Sequence, residues 1–165
     1  MNSKLFHKIL TEFMRDYKEN VYRLAYSYVK HPQNAMDVVQ DAIQKALTKS
    51  DSLTKPESMK SWFYRIVVNT ALDYLRREKK LLPVADEVLE QQGVNDHDVI
   101  QDLHLSETLE ELPMMYREVI ILRFFEDMKL EDVALVLNIP LSTVKSRLYQ
   151  ALKILRINMK QEETY

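Results

Sequence analysis

The chain has 165 residues, 46% of them hydrophobic and 29% charged, and a formal net charge of −2, enough for one domain or two small ones with a real core. The absence of cysteine excludes disulfide scaffolds, zinc ribbons and thiol catalysis, and no apolar run is long enough to cross a membrane. The opening residues, Met1 to Lys8, turn amphipathic without a signal core, so a cytoplasmic protein is expected.

Leu5, Ile9, Phe13, Tyr17, Val21, Leu24 and Tyr28 recur at helical spacing, which predicts a long first helix ending before Pro32. Asn34 followed by Asp37 resembles a helix start, with Asn34 as N-cap and the acid in the first turn. This second helix runs to about Thr48 and is expected to bury Val39, Ile43, Ala46 and Leu47. Its opposite face carries Asp37, Gln40, Asp41 and Gln44, which is either a solvated stripe or a partner-binding face. Lys49 to Lys60, with Ser, Thr, Asp and Pro56, reads as a loop.

The third helix, Ser61 to Lys80, combines rings, polar side chains and clustered cations. Arg65, Asn69, Asp73, Arg76 and Lys80 form one polar stripe, Arg77 adjoins it, and Phe63, Ile66, Val67 and Tyr74 can pack inward. Stacking rings beside cations suit single-stranded nucleic acid. The same pattern also fits an ordinary packed helix with a cationic end that complements its dipole.

Charge is sorted along the chain. Met59 to Lys80 holds six basic residues against two acids, Leu81 to Tyr116 holds nine acids and no Lys or Arg, and Leu141 to Lys160 holds five basic residues and no acid. Two basic modules flanking an acidic connection suit a protein that touches nucleic acid at two places. Residues 81–104, with Pro83 and the only glycine, Gly93, read as a flexible linker. A coil of that length spans roughly 25 to 30 Å on average and about 80 Å extended. Asp96, His97, Asp98 and His104 lie within it, but they carry no ligand-spacing motif, so no metal site is expected.

Leu105 to Leu112 is predicted helical, and Pro113 suits the first position of a helix through about Phe125 with Tyr116, Val119, Ile120 and Phe124 as its apolar face. Leu130, Val133, Ala134 and Leu137 mark a short helix. Asn138-Ile139-Pro140 marks a turn, with Asn138 suited to the left-handed conformation. Val144, Leu148, Ala151, Leu152 and Leu155 form the seam of a last helix. This is a helix-turn-helix, whose second helix enters the major groove. Ser142, Thr143, Lys145, Ser146, Arg147, Tyr149, Gln150 and Lys153 are then left to meet DNA, Arg and Gln with bidentate reach to guanine and adenine, Lys145 and Lys153 at the backbone. A three-helix protein-interaction domain with a basic face is the alternative. The expected fold is therefore all-α, with a helical domain over 1–80, a linker over 81–104 and a second helical domain over 105–165.

Three blocks together resemble the bacterial sigma-70 family of RNA polymerase sigma factors, in its extracytoplasmic-function group. Asn34-Ala-Met-Asp-Val-Val-Gln-Asp41 is similar to the family's clamp-binding stretch. Trp62 to Arg76 is similar to its promoter-melting helix. Leu112 to Arg123, with the helix-turn-helix ending Thr143-Val-Lys-Ser-Arg147, is similar to its minus-thirty-five reader. Met36, Ile43, Asp127 and Gln150 depart from the pattern, standing where Glu, Phe, Gly and a basic residue are frequent.

The resemblance implies that Asp37, Gln40, Asp41 and Gln44 dock on core RNA polymerase. It also implies that Arg65, Asn69, Asp73, Arg76, Arg77 and Lys80 belong to the minus-ten surface, Asn69 and Asp73 partly in a structural role, and that Ser50 to Leu53 help receive a flipped base. Partners implied are core polymerase, promoter DNA and an anti-sigma factor, frequently membrane-anchored, in a stress response. No nucleophile with its base and no phosphate-cradling glycine loop occurs, so no enzymatic activity, cofactor or small-molecule substrate is expected. The rivals are a stand-alone helix-turn-helix regulator and a helical adaptor that binds only protein.

Overall fold

The computed structural model describes residues 1–81 and 108–163, with side chains over 1–79 and 108–156. The described residues fall into two compact units, one at each end of the chain, and contain helices and turns but no strand. The expected linker, 81–104, lies outside them apart from Leu81, as do Asp96, His97, Asp98 and His104.

In the first unit, α1 (Ser3–Val29), α2 (Pro32–Thr48) and α3 (Met59–Leu81) pack pairwise on one another. The Asn2 side chain caps α1 by accepting from the Leu5 amide at 3.1 Å. Lys30 ends it in the left-handed conformation (φ 57°), with its amide donating to the Tyr26 carbonyl. The helix thus stops short of Pro32, as the sequence implies. α2 begins two residues before the expected cap: Pro32 takes the first helical turn and His31, with no side-chain bond, precedes it. A proline's missing N–H costs nothing there, so Asn34 falls inside the helix instead of capping it.

The core of this unit holds Phe6, Phe13, Leu24, Val38, Phe63, Tyr64 and Val67, all buried. Ala25, Ala35, Ala42, Ala46 and Ala71 are fully buried as well, and such small side chains let the helices approach closely. The expected seam of α1 holds from Phe13 onward but slips before it. Leu5 is exposed and Ile9 half-buried, while Phe6 and Leu10 are buried. The buried Phe6, Leu10, Phe13, Val21, Leu24 and Tyr28 share an arc of about 80°, and two steps of four back from Phe13, each about 40° off a 3.6-residue turn, carry Leu5 outside it. Leu47 likewise faces solvent, because α2 buries the face running through Ala35, Val38, Val39, Ala42 and Ala46. Between α2 and α3 the chain makes two 3-10 turns, Ser50–Ser52 and Pro56–Ser58, with Leu53 buried between them.

The second unit opens on a helical turn over 108–111, followed by α4 (Met114–Ile120), α5 (Leu130–Leu137) and α6 (Leu141–Glu163). Leu109, Leu112, Ile120, Ala151 and Leu155 form its core cluster, with Tyr116, Phe125, Leu148 and Ile154 packed against it. α4 does not continue regularly to Phe125: Ile121–Phe125 forms a π turn, closed by the Glu126 amide on the Ile121 carbonyl at 2.9 Å. One extra residue in that turn rotates the side chains beyond it about the helix axis. Leu122 is buried in consequence, and Phe124, expected on the apolar face, is 56% exposed. Asp127 then takes a left-handed conformation (φ 52°), at the position where the resemblance has a frequent glycine. α5 ends on left-handed Asn138 (φ 55°, ψ 48°), and Pro140 leads into α6, giving the expected helix-turn-helix.

Candidate nucleic-acid interface

Two helices of the first unit share one polar surface. On α2, Asp37, Gln40 and Gln44 are exposed and Asp41 is half-buried. On α3, Arg65, Asn69, Arg76 and Arg77 are exposed and Asp73 is half-buried, while the Lys80 side chain is outside those described. Lys45 joins the helices. Its ammonium lies 3.6 Å from Asp41, 3.8 Å from Asp73 and 3.3 Å from the hydroxyl of buried Thr70. Asp73 also holds Arg76 at 3.0 Å. A carboxylate set between two cations is bracing the helices, which fits the structural part expected of Asp73.

Asp37, Asp41 and Arg77 come together with Val38, Thr70, Tyr74 and Glu78 around an open cleft of about 490 Å³. Tyr74 is pushed up to about 12, first by burial, then by a hydrogen bond to Glu78 and by the charges of Glu78 and Asp37, with Arg77 opposing. Its phenol stays protonated well above neutral pH and donates to the Glu78 carboxylate. Gln40, Gln44, Arg65 and Asn69 do not line this cleft.

Two of the four rings of α3 are sealed from any stacking partner. Phe63 and Tyr64 are buried, both packed against Phe13. Trp62 lies edge-on to Phe6 and donates its indole N–H to the Ser52 hydroxyl at 2.8 Å. In the turn before α3, Asp51 and Ser52 are exposed and Ser50 half-buried.

In the second unit Val144, Ala151 and Leu155 anchor α6 inward, and Ser142, Lys145, Ser146, Tyr149, Gln150 and Lys153 face outward, Tyr149 at 67% exposure. Leu152, expected in the seam, is exposed too. Thr143 and Arg147 are half-buried. The Arg147 guanidinium sits 3.8 Å from Glu118 on α4, with side chains 25% and 12% exposed. One edge of its fork is thereby fixed within the unit and the rest remains for phosphate or base.

Sequence reasoning missed Lys45, Thr70, Glu78 and Glu118, and it named Tyr74 and Ser52 without their partners. Lys45 had a readable signal, four residues after Asp41 on a helix. Glu78 had the same kind of signal, four residues after Tyr74, whereas Thr70, Ser52 and Glu118 gain their partners through tertiary packing. Among the described residues no group of three or more His, Asp or Glu is placed to hold a metal ion. No described helix is long and apolar enough to cross a membrane.

Residues 13–81 match the family description Sigma-70 region 2, and residues 103–155 match Sigma-70, region 4. The chain is 47% identical over 157 residues to the RNA polymerase sigma factor SigV of Bacillus subtilis (strain 168), spanning 94% of this chain and 93% of that protein. It is 31% identical over 150 residues to the ECF RNA polymerase sigma-E factor of Escherichia coli (strain K12), spanning 82% and 78%. Among solved structures, the sigma factor RpoE in complex with the anti-sigma factor NepR, from Bartonella quintana, superposes with a TM-score of 0.72 at 24% identity, over 92% of this chain and 96% of that one. CnrH in complex with the cytosolic domain of CnrY gives 0.67 at 23%, over 97% and 90%. At these identities the structural likeness is one of fold.

Proposed function

Since this chain belongs to the sigma-70 family of RNA polymerase sigma factors, in its extracytoplasmic-function group, we propose that it reads its promoter in two physical states, the minus-thirty-five element as duplex and the minus-ten element as melted strand. As a sigma factor it is not an enzyme; it binds core RNA polymerase and directs promoter-specific initiation. The division of labour between its helices is our reading.

The observation that carries it is the exposed face of α6, acid-free from Ser142 to Arg156 and set behind the left-handed turn at Asn138. A helix so presented places Ser142, Lys145, Ser146, Tyr149 and Gln150 in reach of a major groove, with Thr143 and Arg147 at its margin and Lys153 on the phosphates. α3 offers Arg65, Asn69, Arg76 and Arg77 to the backbone of an opened strand, with Asp73 bracing them. The turn at Ser50 to Leu53 receives an extruded base, Leu53 as its buried anchor. Asp37, Gln40, Asp41 and Gln44 dock on core polymerase. An anti-sigma factor that masks these surfaces is proposed as a further partner, by analogy with the RpoE and NepR complex. With polymerase and promoter as partners, the chain works in the cytoplasm.

The test is run-off transcription on genomic fragments with purified chain and core polymerase. Specific initiation only when both are present supports the reading, and the start sites reveal both promoter elements. Tight operator binding by the chain alone, with no effect on initiation by core, would establish the stand-alone regulator instead. Replacing Gln40 and Asp41 together by Ala should weaken core binding without unfolding the first unit; unchanged core affinity removes the docking assignment.

A further inference from the structure

Trp62 is the only tryptophan in the chain and opens a helix whose next two rings, Phe63 and Tyr64, are fully buried. It is only half-buried and makes two contacts of fixed direction. Phe6 of α1 meets it edge-on, with centroids 5.7 Å apart and planes at 89°. That contact fixes the plane of the indole. Its single donor, Nε1–H, then reaches back ten residues to the Ser52 hydroxyl at 2.8 Å.

Ser52 is the last residue of the Ser50–Ser52 turn, and its own hydroxyl proton goes to the Lys49 carbonyl at 2.7 Å. The two bonds form a relay from Trp62 N–H through Ser52 O–H to the Lys49 carbonyl, each polarising the next. The Ser52 amide also closes on that carbonyl at 2.9 Å. Buried Leu53 fixes the far side of the turn. A turn of three residues has little rigidity of its own. Here its last residue, Ser52, is tied through Trp62 to α3 and α1, and Leu53 directly after it to the core, while Ser50 and Asp51 are left at its outer edge.

We propose that Trp62 is a positioning residue for strand capture: it does not stack on a base but holds the Lys49–Leu53 turn, through Ser52, in the shape that receives one. This rests on the reading that the turn takes an extruded base. The indole bond lowers the cost of ordering the turn when the base arrives.

The experiment compares wild-type holoenzyme with Trp62→Phe, Ser52→Ala, the double variant and Ser52→Thr at a promoter identified by run-off transcription. Open complex is read by permanganate reactivity of unpaired thymines, and core affinity is measured alongside. Each single variant should lower opening by about three- to tenfold, the range one net hydrogen bond carries, at unchanged core affinity. The double variant should be no worse than either, and Ser52→Thr, which keeps the hydroxyl, should restore most of the opening. In the free chain, Ser52→Ala should make the lone tryptophan more accessible to acrylamide quenching, whereas Ser52→Thr should not.

Additive loss in the double variant would overturn the proposal, since Ser52 would then be touching DNA independently. Normal opening by Ser52→Ala would overturn it too, leaving Trp62 a packing residue whatever Trp62→Phe does. If the wild-type holoenzyme initiates but never opens the minus-ten region, the failure lies instead with the strand-capture reading.

Discussion

The Glu118 and Arg147 pair offers the sharpest test of how the second unit presents its reading helix. The charges lie 3.8 Å apart with side chains 12% and 25% exposed. At an effective dielectric near 20 the attraction is about 4 kcal/mol, most of it cancelled by desolvation. Exposed pairs net about 0.2 to 1 kcal/mol, and breaking a fully buried pair costs about 3 to 5. A pair this far from solvent, yet not sealed from it, should lie between, at about 1 to 2 kcal/mol. Glu118→Gln, which keeps the shape, and Arg147→Met define a double-mutant cycle read by urea denaturation of the full chain with a probe in the second unit. In a unit of this size, about 1 kcal/mol corresponds to roughly 4 to 8 °C in Tm.

The same cycle has a DNA readout. If Glu118 holds one edge of the guanidinium so that the other is aimed, Glu118→Gln should weaken minus-thirty-five duplex binding by about two- to tenfold, the cost of ordering a long side chain on binding. Coupling below about 0.3 kcal/mol, within the error of additivity, would refute the stabilising role. Tighter duplex binding by Glu118→Gln would show that the acid withholds Arg147 from DNA.

Lys45→Met should destabilise the first unit by about 1 kcal/mol, since it strips Asp41, Asp73 and Thr70 of a shared partner, and a cycle with Asp73→Asn should show coupling of about 0.5 kcal/mol by denaturation. Zero coupling would mean that the 3.8 Å contact contributes nothing. Asp127→Gly should stabilise the second unit by about 0.5 kcal/mol, because glycine takes φ 52° without a Cβ clash, while Asp127→Val at the same site should destabilise it; Tm of the two variants decides. Tyr74 should ionise only near pH 12, against 10 for an ordinary tyrosine, seen as the difference between the ultraviolet titrations of wild type and Tyr74→Phe. The folded state holds this proton more tightly than the unfolded chain. Its contribution to stability is therefore complete below pH 10 and falls as pH rises toward 12. Glu78→Gln should bring the titration down, and an unchanged midpoint there would exclude the carboxylate as a cause.

Local rules carried much of this structure. A proline at 32 and an asparagine at 138 each marked a place where the backbone must break or turn left-handed, and the chain does so near each one; Asp127, noted only as a departure from a frequent glycine, turns left-handed as well. The buried positions of α6 and α3 followed from helical period except at Leu148 and Tyr74, which are half-buried, and Leu152, which is exposed. The errors arose where period alone could not choose between adjacent faces. Phe6 displaced Leu5 because the neighbouring helices, not α1, decide which face is covered. Phe124 turned outward because a π turn adds a residue that no composition signal announces. At the candidate site, residue types and faces were readable, but the partners were not. Asp73 meets Lys45 from another helix, and Arg147 meets Glu118 across the second unit. Which cations are restrained is a property of packing.

That restraint bears on how the chain can use its charges. Arg76 is held by Asp73 at 3.0 Å, so this cation, expected on DNA, must exchange an internal carboxylate for a phosphate when it binds, whereas Arg147 keeps Glu118 on one edge of its fork and offers the other. The exchange gains less than a fully solvated cation would, because an existing pair is lost. A net charge of −2 adds no general attraction to nucleic acid. Affinity for DNA from either unit alone is accordingly expected to be modest. If α2 docks the chain on polymerase as proposed, the strand is met at a high effective concentration, and the exchange then becomes favourable where a phosphate offers bidentate geometry. On the proposed reading, the Asp73–Arg76 pair thus makes strand binding by this cation depend on the docked state.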